Sequence, residues 1–511
     1  MMHGPEKSDS PIVASKPTNK AAQAAAEPVE RRGEAKGNAE KLRMRRTQCR
    51  ISVSQQLDRV RQAARRGEGR FTALLHHVSE DLLLLSFFWL KRGVAVGVDG
   101  VSWTEYEEHL ETNLADLHKR IHSNTYRAQP SRRQYIPKPD GQPRPLGIAA
   151  LEDKIVQRAM VAVLNAIYEH DFLGFSYGFR PGRGQHDALD ALAVGITRTK
   201  VNWILDADIR KFFDSVSHDW LIRFLEHRIG DPRVINLIRK WLKVGVMEDG
   251  VLHPTEEGTP QGAVVSPLLA NVFLHYVFDL WVNHWRKHHA RGHIIVVRYA
   301  DDVVVGFERA DDAHRFLMAL RERLEKFSLT LHPDKTRLIE FGRFAVVDRK
   351  KRGLGKPETF DFLGFTHICS HTRTGNFQLR RKTRRDRDRM RTKLQEIKAE
   401  LRRRMHQSIP QQGLWLRQVV AGYFAYHAVP TNSGSICAFR YHVVNLWRRT
   451  LRRWSQRDRT RWERITQIAN DWLPKPLIHH PWLGARFAAK HLRREPGARI
   501  APAGICAGGA Q

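Results

Sequence analysis

The run Ile294 to Phe307, IIVVRYADDVVVGF, limits what this chain can fold into more than any other stretch. Two apolar, β-branched segments flank Tyr299, Ala300, Asp301 and Asp302, which predicts two buried antiparallel strands joined by a tight turn with the acids at the turn. Burying the flanking strands crowds the two carboxylates, and like charges raise each other's pKa unless a cation neutralises them. A hard divalent cation such as Mg²⁺, which takes oxygen ligands, meets that need. A plain surface Asp-Asp turn is the alternative, since aspartate favours turns.

Over 511 residues, 41% hydrophobic composition leaves room for several domains with sizeable cores. Lys and Arg outnumber Asp and Glu by 86 to 54, a formal charge of +32 that calls for a polyanionic partner. Nucleic acid suits that excess better than a membrane, because no stretch approaches the roughly 20 apolar residues of a spanning helix. Leu82 to Leu90, LLLLSFFWL, is too short and reads as a buried helix. No charged segment followed by an apolar run opens the chain, so a cytoplasmic location is expected. Cys49, Cys369, Cys437 and Cys506 form no CxxC pair, which argues against a zinc module or a disulfide framework.

Residues 1–45, rich in Ala, Lys, Glu, Pro and Gly without apolar periodicity, are expected to be a disordered leader. Arg132 to Ile148 predicts a strand, a Pro-Asp-Gly turn and a second strand carrying Lys138 and Arg144. Those cations can reach a phosphate, though solvated basic residues on an edge hairpin satisfy the composition equally. Leu151 to Tyr168 has a helical pattern, and Phe175 to Gln185, FSYGFRPGRGQ, is a Gly- and Arg-rich loop suited to close approach by a nucleic-acid strand. Trp203 to Ile209 alternates as a strand does, placing Asp206 and Asp208 on one face. Gly258 to Pro267, GTPQGAVVSP, joins turn chemistry to an apolar helix over Leu268 to Trp281. Past Phe377 the composition turns strongly basic: a helix is predicted over Arg380 to Met405, and Trp447 to Arg464 sets Trp447, Trp454 and Trp462 among arginines. Basic faces with interleaved aromatics suit RNA, while a solvated charged face is the alternative.

One aspartate in a strand, Asp208, and two on a hairpin 93 and 94 residues later supply what phosphoryl transfer to a polynucleotide needs. Two metal ions roughly 3.5–4 Å apart activate a 3′-hydroxyl and stabilise the leaving oxygen, and carboxylates shared between them hold the pair.

At these residues the chain resembles the group II intron reverse transcriptases, also called maturases. The resemblance runs from about Val98 to about Arg486 and rests on VDGV, PKPDGQPRPLGI, FSYGFRPGRG, DADIRKFFDSV, GTPQGAVVSPLLAN, YADD, LHPDKT and FDFLGF in family order. It implies an α+β right-hand polymerase, with fingers and a palm built on an antiparallel catalytic sheet, followed by an α-helical thumb and maturase domain. The corresponding divisions are a leader over 1–45, an N-terminal extension and fingers over 46–200, a palm over 201–370, thumb and maturase domain over 371–486, and a flexible tail over 487–511. Carried onto matching positions, it makes Asp208, Asp301 and Asp302 ligands of two Mg²⁺ ions, assisted by the backbone carbonyl of Ile209. Lys138 and Arg144 would hold the incoming dNTP, Gln261 would line its pocket, and Lys335 would protonate the leaving pyrophosphate. Phe213 matches the position that excludes a ribose 2′-hydroxyl, with adjacent Phe212 leaving the register open by one. The implied partners are group II intron RNA, an RNA template and a DNA primer or target, and the implied activities are RNA-directed DNA synthesis and promotion of splicing and intron mobility. Many relatives carry a C-terminal endonuclease with cysteine pairs that this chain lacks, so cleavage of the second DNA strand is not expected of it. Other readings are a reverse transcriptase of a retron or diversity-generating element, which the long basic C-terminal region disfavours, and a non-catalytic splicing cofactor, which the acid triad disfavours.

Overall fold

A long helix, α1 (Glu30–Arg65), leads the computed structural model, which describes residues 30–67, 69–137, 143–383, 387–454 and 461–480. It starts inside the stretch expected to lack structure. Residues 30–45 are mostly Ala, Glu, Lys and Arg, good helix formers that need no apolar periodicity to favour a helix. Further on, Cys49, Val53, Leu57 and Val60 recur at helical spacing and are buried. Their face packs on α2 (Glu80–Trp89), which is the apolar Leu82 run, and on the later helix Leu151–Asp171. Next come α3 (Trp103–Glu108), opened by a Ser102–Glu105 capping box, and α4 (Leu110–His122).

The predicted hairpin is present as β1 (Ser131–Pro137) and β2 (Pro143–Ile148), paired with Arg132 opposite Ile148 and Ile136 opposite Arg144. Helices α5 (Leu151–Asp171) and α6 (Gln185–Arg198) lead to β3 (Trp203–Ala207), α7 (His218–Arg228) and α8 (Pro232–Lys243). Strands β4 (Val246–Glu248) and β5 (Val251–His253) complete a first sheet of order β2-β1-β4-β5, in which β1 and β4 run parallel. The helix predicted after Pro267 is longer than expected and is interrupted: α9 (Ser266–Leu274) and α10 (Leu280–His288) are joined through a π-turn over His275–Asp279.

The central sheet has the order β6-β7-β3-β8 and is antiparallel throughout, built from β6 (Ile294–Tyr299), β7 (Asp302–Phe307), β3 and β8 (Arg337–Glu340), with α11 (Ala310–Glu325) between β7 and β8. Leu205, Val296, Val303 and Val305 pack in one core with Phe316 and Leu320 of α11 and Phe273 of α9. On the opposite face, Ile204, Ile295, Val297, Val304 and Ile339 meet Leu189, Leu192 and Ile196 of α6. Burial on both faces is why this hairpin reads as an unbroken apolar run.

After α12 (Ala345–Lys351), the strands β9 (Phe360–Phe362), β10 (Phe365–His371) and β11 (Phe377–Thr383) form a third sheet of order β11-β10-β9 that shares the α6 core. The helix predicted from Arg380 therefore needs correction. Arg380 to Thr383 pair with Phe365 to Ile368 as strand, and the helix α13 spans Arg387–Arg403. Alternation of Leu379 and Arg381 toward the interior, with a turn at Gly375, selects the strand. The last core joins α13 with α14 (Ile409–His427), α15 (Ser433–Trp454) and α16 (Trp462–Trp472) around Leu416, Val420, Phe424, Val443 and Trp447. Trp447, expected on a basic RNA-facing surface, is fully buried and donates its indole N–H to Gln412 Oε1 at 2.9 Å. This helical region is tied to the third sheet by Tyr426 Oη donating to the Leu363 carbonyl at 2.7 Å and Thr383 N donating to Asn432 Oδ1 at 3.0 Å. Among the described residues, no helix is long and apolar enough to cross a membrane.

Candidate active site

Strand register brings the acids together. Tyr299 pairs with Asp302, leaving Ala300 and Asp301 as a two-residue turn, and Ala300 takes φ +57°. An L-residue rarely adopts that conformation, so something outside the turn must hold it. Across the sheet Ala207 pairs with Val303, so the next residue of that strand, Asp208, leaves β3 alongside Asp302. By alternation, Asp206, Asp208 and Asp302 share one face of the sheet.

What holds the turn is Arg298, one strand residue before Tyr299 and completely buried. Its Nε and Nη2 grip Asp279 Oδ1 and Oδ2 at 2.7 and 2.5 Å, Nη1 donates to Asn271 Oδ1 and to the Ala300 carbonyl at 3.0 Å each, and Nη2 donates to Ser176 Oγ at 2.7 Å. These five bonds match the five N–H donors of a guanidinium. Asn271 Nδ2 in turn donates to the Gly178 carbonyl at 2.7 Å. Gly178 lies so close to the turn that a Cβ there would fall 2.2 Å from Ala300 N. A side chain at that position has no room. The π-turn belongs to the same device, since Asp279 is its last residue and faces Arg298. Three blocks singled out in the sequence, FSYG, the SPLLAN end of the GTPQG block, and RYADD, thus converge on one buried guanidinium.

The arginines of the FSYGFRPGRG loop are turned inward, contrary to what that loop's composition suggests. Arg180 binds the Glu169 carboxylate and the carbonyls of Leu173 and Ser176, and Arg183 donates to the Gly174 carbonyl at 2.7 Å. They brace the loop.

Beside the acids, Lys335 Nζ lies 3.3 Å from Asp208 Oδ2, with its side chain largely exposed just ahead of β8. Ile209 is buried and bridges Leu331. Asp206, which the sequence paired with Asp208 but gave no role, is a strongly perturbed carboxylate. Burial pushes it up to about 7; Arg337, 3.9 Å away, pulls the other way, and the charges of Asp302, Asp361 and Asp208 add to the rise. Strand alternation was the signal that could have found it. Among the described residues, no three His, Cys, Asp or Glu side chains close to metal-binding distance. The donor set nevertheless fits a hard cation: carboxylates crowd one sheet face, and the burial and mutual repulsion that raise Asp206 are what a divalent ion relieves.

The other expected residues fall into two groups. Phe212 is buried in the core against Phe273, while Phe213 is partly exposed beside the 258–261 turn, its carbonyl accepting from Thr259 N at 2.7 Å. Gly258, at φ +86°, is required there because a Cβ would lie 2.8 Å from that same carbonyl. Gln261 Nε2 donates to Asp214 Oδ1 at 3.3 Å, and its carbonyl accepts from Gly147 N of β2 at 2.6 Å, tying the first sheet to this turn. Arg144 sits in β2 opposite Ile136, and Lys138 lies outside the described residues.

Residues 136–367 match the family model for reverse transcriptase (RNA-dependent DNA polymerase). Protein YkfC of Escherichia coli (strain K12) is 37% identical over 237 residues, covering 41% of this chain and 62% of that protein. The group II intron-encoded protein LtrA of Lactococcus lactis subsp. cremoris is 39% identical over 207 residues, 40% of this chain and 34% of that protein. An uncharacterized 91 kDa protein in the cob intron of Schizosaccharomyces pombe is 36% identical over 206 residues, 40% of this chain and 25% of that protein. The match thus spans less than two thirds of each of these relatives. The family match over residues 136–367 contains the central sheet, the turn and the loops wired to it, so this part of the chain matches a reverse transcriptase domain and is similar to group II intron-encoded proteins.

Proposed function

We propose that this chain is an RNA-directed DNA polymerase that also acts as the maturase of a group II intron. The observation that carries the reading is the register that sets Asp208 beside Asp302, together with the Arg298 bracket that holds the Ala300–Asp301 turn in a strained form. A binding module has no use for a buried device that aims two acids. Asp208, Asp301, Asp302 and the Ile209 carbonyl would hold two Mg²⁺ ions. When bound, such ions activate the primer 3′-hydroxyl and stabilise the leaving oxygen.

The chain's own residues supply the rest. Lys335 sits against Asp208 and serves as proton donor to the leaving pyrophosphate. Lys138 and Arg144 bind the triphosphate. Phe213, partly exposed where Phe212 is core, lies beneath the sugar and selects deoxynucleotides, and Gln261 lines the same pocket. The helical region α13–α16 acts as thumb and maturase domain and binds intron RNA, a role that the exposed arginines of α15 support. Splicing is RNA chemistry, so the protein need only favour the active RNA fold by binding it.

Primer extension on an RNA template with Mg²⁺ tests the reading. Asp301→Ala removes a ligand and is expected to abolish extension while the unfolding midpoint stays within a few degrees of the parent. Extension at the parental rate by that variant would refute it.

A further inference from the structure

The loop between α5 and α6 shows an inconsistency that folding alone does not explain. Its two arginines are bound inward and its Gly178 is pressed on the catalytic turn, yet the residue between Gly178 and Arg180 is a phenylalanine whose ring stands in solvent. Phe179 is 53% exposed and adopts φ +58°. Both features are unfavourable for a large aromatic side chain, and a glycine at this position would have neither. Strain of this kind persists at sites where the side chain has a use. The ring lies 6.5 Å, centroid to centroid, from Tyr299 at an interplanar angle of 44°, and Tyr299 pairs with Asp302. So two aromatic rings, one of them open to solvent, border the carboxylates.

We propose that Phe179 is a substrate-contacting residue whose exposed face packs against the last nucleotide of the primer strand, next to Tyr299. The proposal rests on the polymerase reading, which requires the primer 3′-end to reach the Asp301–Asp302 turn. Every base and sugar presents an apolar face to an aromatic ring, so the contact is independent of sequence and adds affinity at the one nucleotide that must be placed. The bracing by Arg180, Arg183 and Asn271 then acquires a purpose beyond stability: it fixes the ring relative to the acids.

Phe179→Gly and Phe179→Tyr, in the full chain, separate contact from packing. Because glycine relieves the backbone strain and the lost ring was exposed, the glycine variant should unfold at the parental midpoint or above it. Its dissociation constant for an RNA–DNA primer–template, measured by fluorescence anisotropy without dNTP, and its KM for that duplex should rise about tenfold, with a smaller change in kcat. The tyrosine variant should restore both. A glycine variant that binds and extends like the parent overturns the proposal. So does one that loses stability along with affinity and is not rescued by tyrosine, which would make the ring a packing element. A parent chain that binds the duplex but never extends it would instead refute the polymerase reading, and the anisotropy comparison would still decide the role of Phe179.

Discussion

In the interior, Arg298, Arg180 and Arg381 are at most 5% exposed and bind carboxylates or backbone carbonyls, whereas on α15 Arg449, Arg452 and Arg453 are exposed. One residue type is used in two ways. Inside, the planar fork cross-links segments far apart in sequence: Arg298 joins Ser176, Asn271 and Asp279, and Arg381 reaches Asp190 of α6 at 3.1 Å. Outside, the same charge remains available to phosphates. The count of 86 Lys and Arg therefore overstates how many cations face outward, because some of them are committed to the fold.

The largest effect is expected at Arg298. Arg298→Met strands the Asp279 carboxylate in the core and should cost about 3–5 kcal/mol in urea unfolding. Adding Asp279→Leu should recover most of that stability, since a buried pair and an apolar isostere are often similar in net stability. Primer extension should not recover, because Ala300, Asn271 and Ser176 still lack their donor. Full activity in the double variant would show that the bracket serves the fold alone.

A buried arginine also leaves a trace in pH dependence. His367 of β10 is fully buried, and burial first, then the Arg381 charge, brings its pKa down to about 3. A histidine depressed in the folded state binds fewer protons than in the unfolded chain, so its contribution is complete above about pH 6.5 and fades as pH falls toward 3. From pH 7 to 4.5 that amounts to about 3 kcal/mol. His367→Phe, measured by urea unfolding across that range, should flatten the acid limb; an unchanged limb would assign it to other groups.

The exposed set should behave in the opposite sense. Replacing Arg449, Arg452 and Arg453 by Gln should change stability by no more than about 0.5 kcal/mol. The same change should reduce the log–log salt slope of RNA binding by up to about three units. Arg381→Gln should destabilise the protein and leave the slope as it was. Equal slopes for the triple variant and the parent would show that this face of α15 does not meet RNA.

Much of the fold was legible because it is local. The Ile294–Phe307 hairpin, β3, the β1–β2 hairpin and α5 follow from period and turn chemistry. What was missed is non-local. Nothing near Arg298 in sequence says that its partners are Ser176, Asn271 and Asp279, and the π-turn that delivers Asp279 has no periodic signature. Charge density in β11 masked its alternation, so strand was read as helix. The site divides similarly: Asp208, Asp301 and Asp302 stood out as acids among apolar strands, while the rise in Asp206 comes first from burial and then from charges such as Asp361, more than a hundred residues away.

On the proposed function, the carboxylates of the central sheet and the outward arginines of the helical region serve separable activities. Protein-dependent splicing of the cognate intron, run beside primer extension, tests this with two variants: Asp301→Ala with Asp302→Ala, and the Arg449, Arg452, Arg453 triple change to Gln. The aspartate variant should lose all extension and still promote splicing at moderate salt, while the arginine variant should extend a generic primer–template and splice poorly. Loss of splicing in the aspartate variant, with its fold and RNA affinity intact, would contradict it.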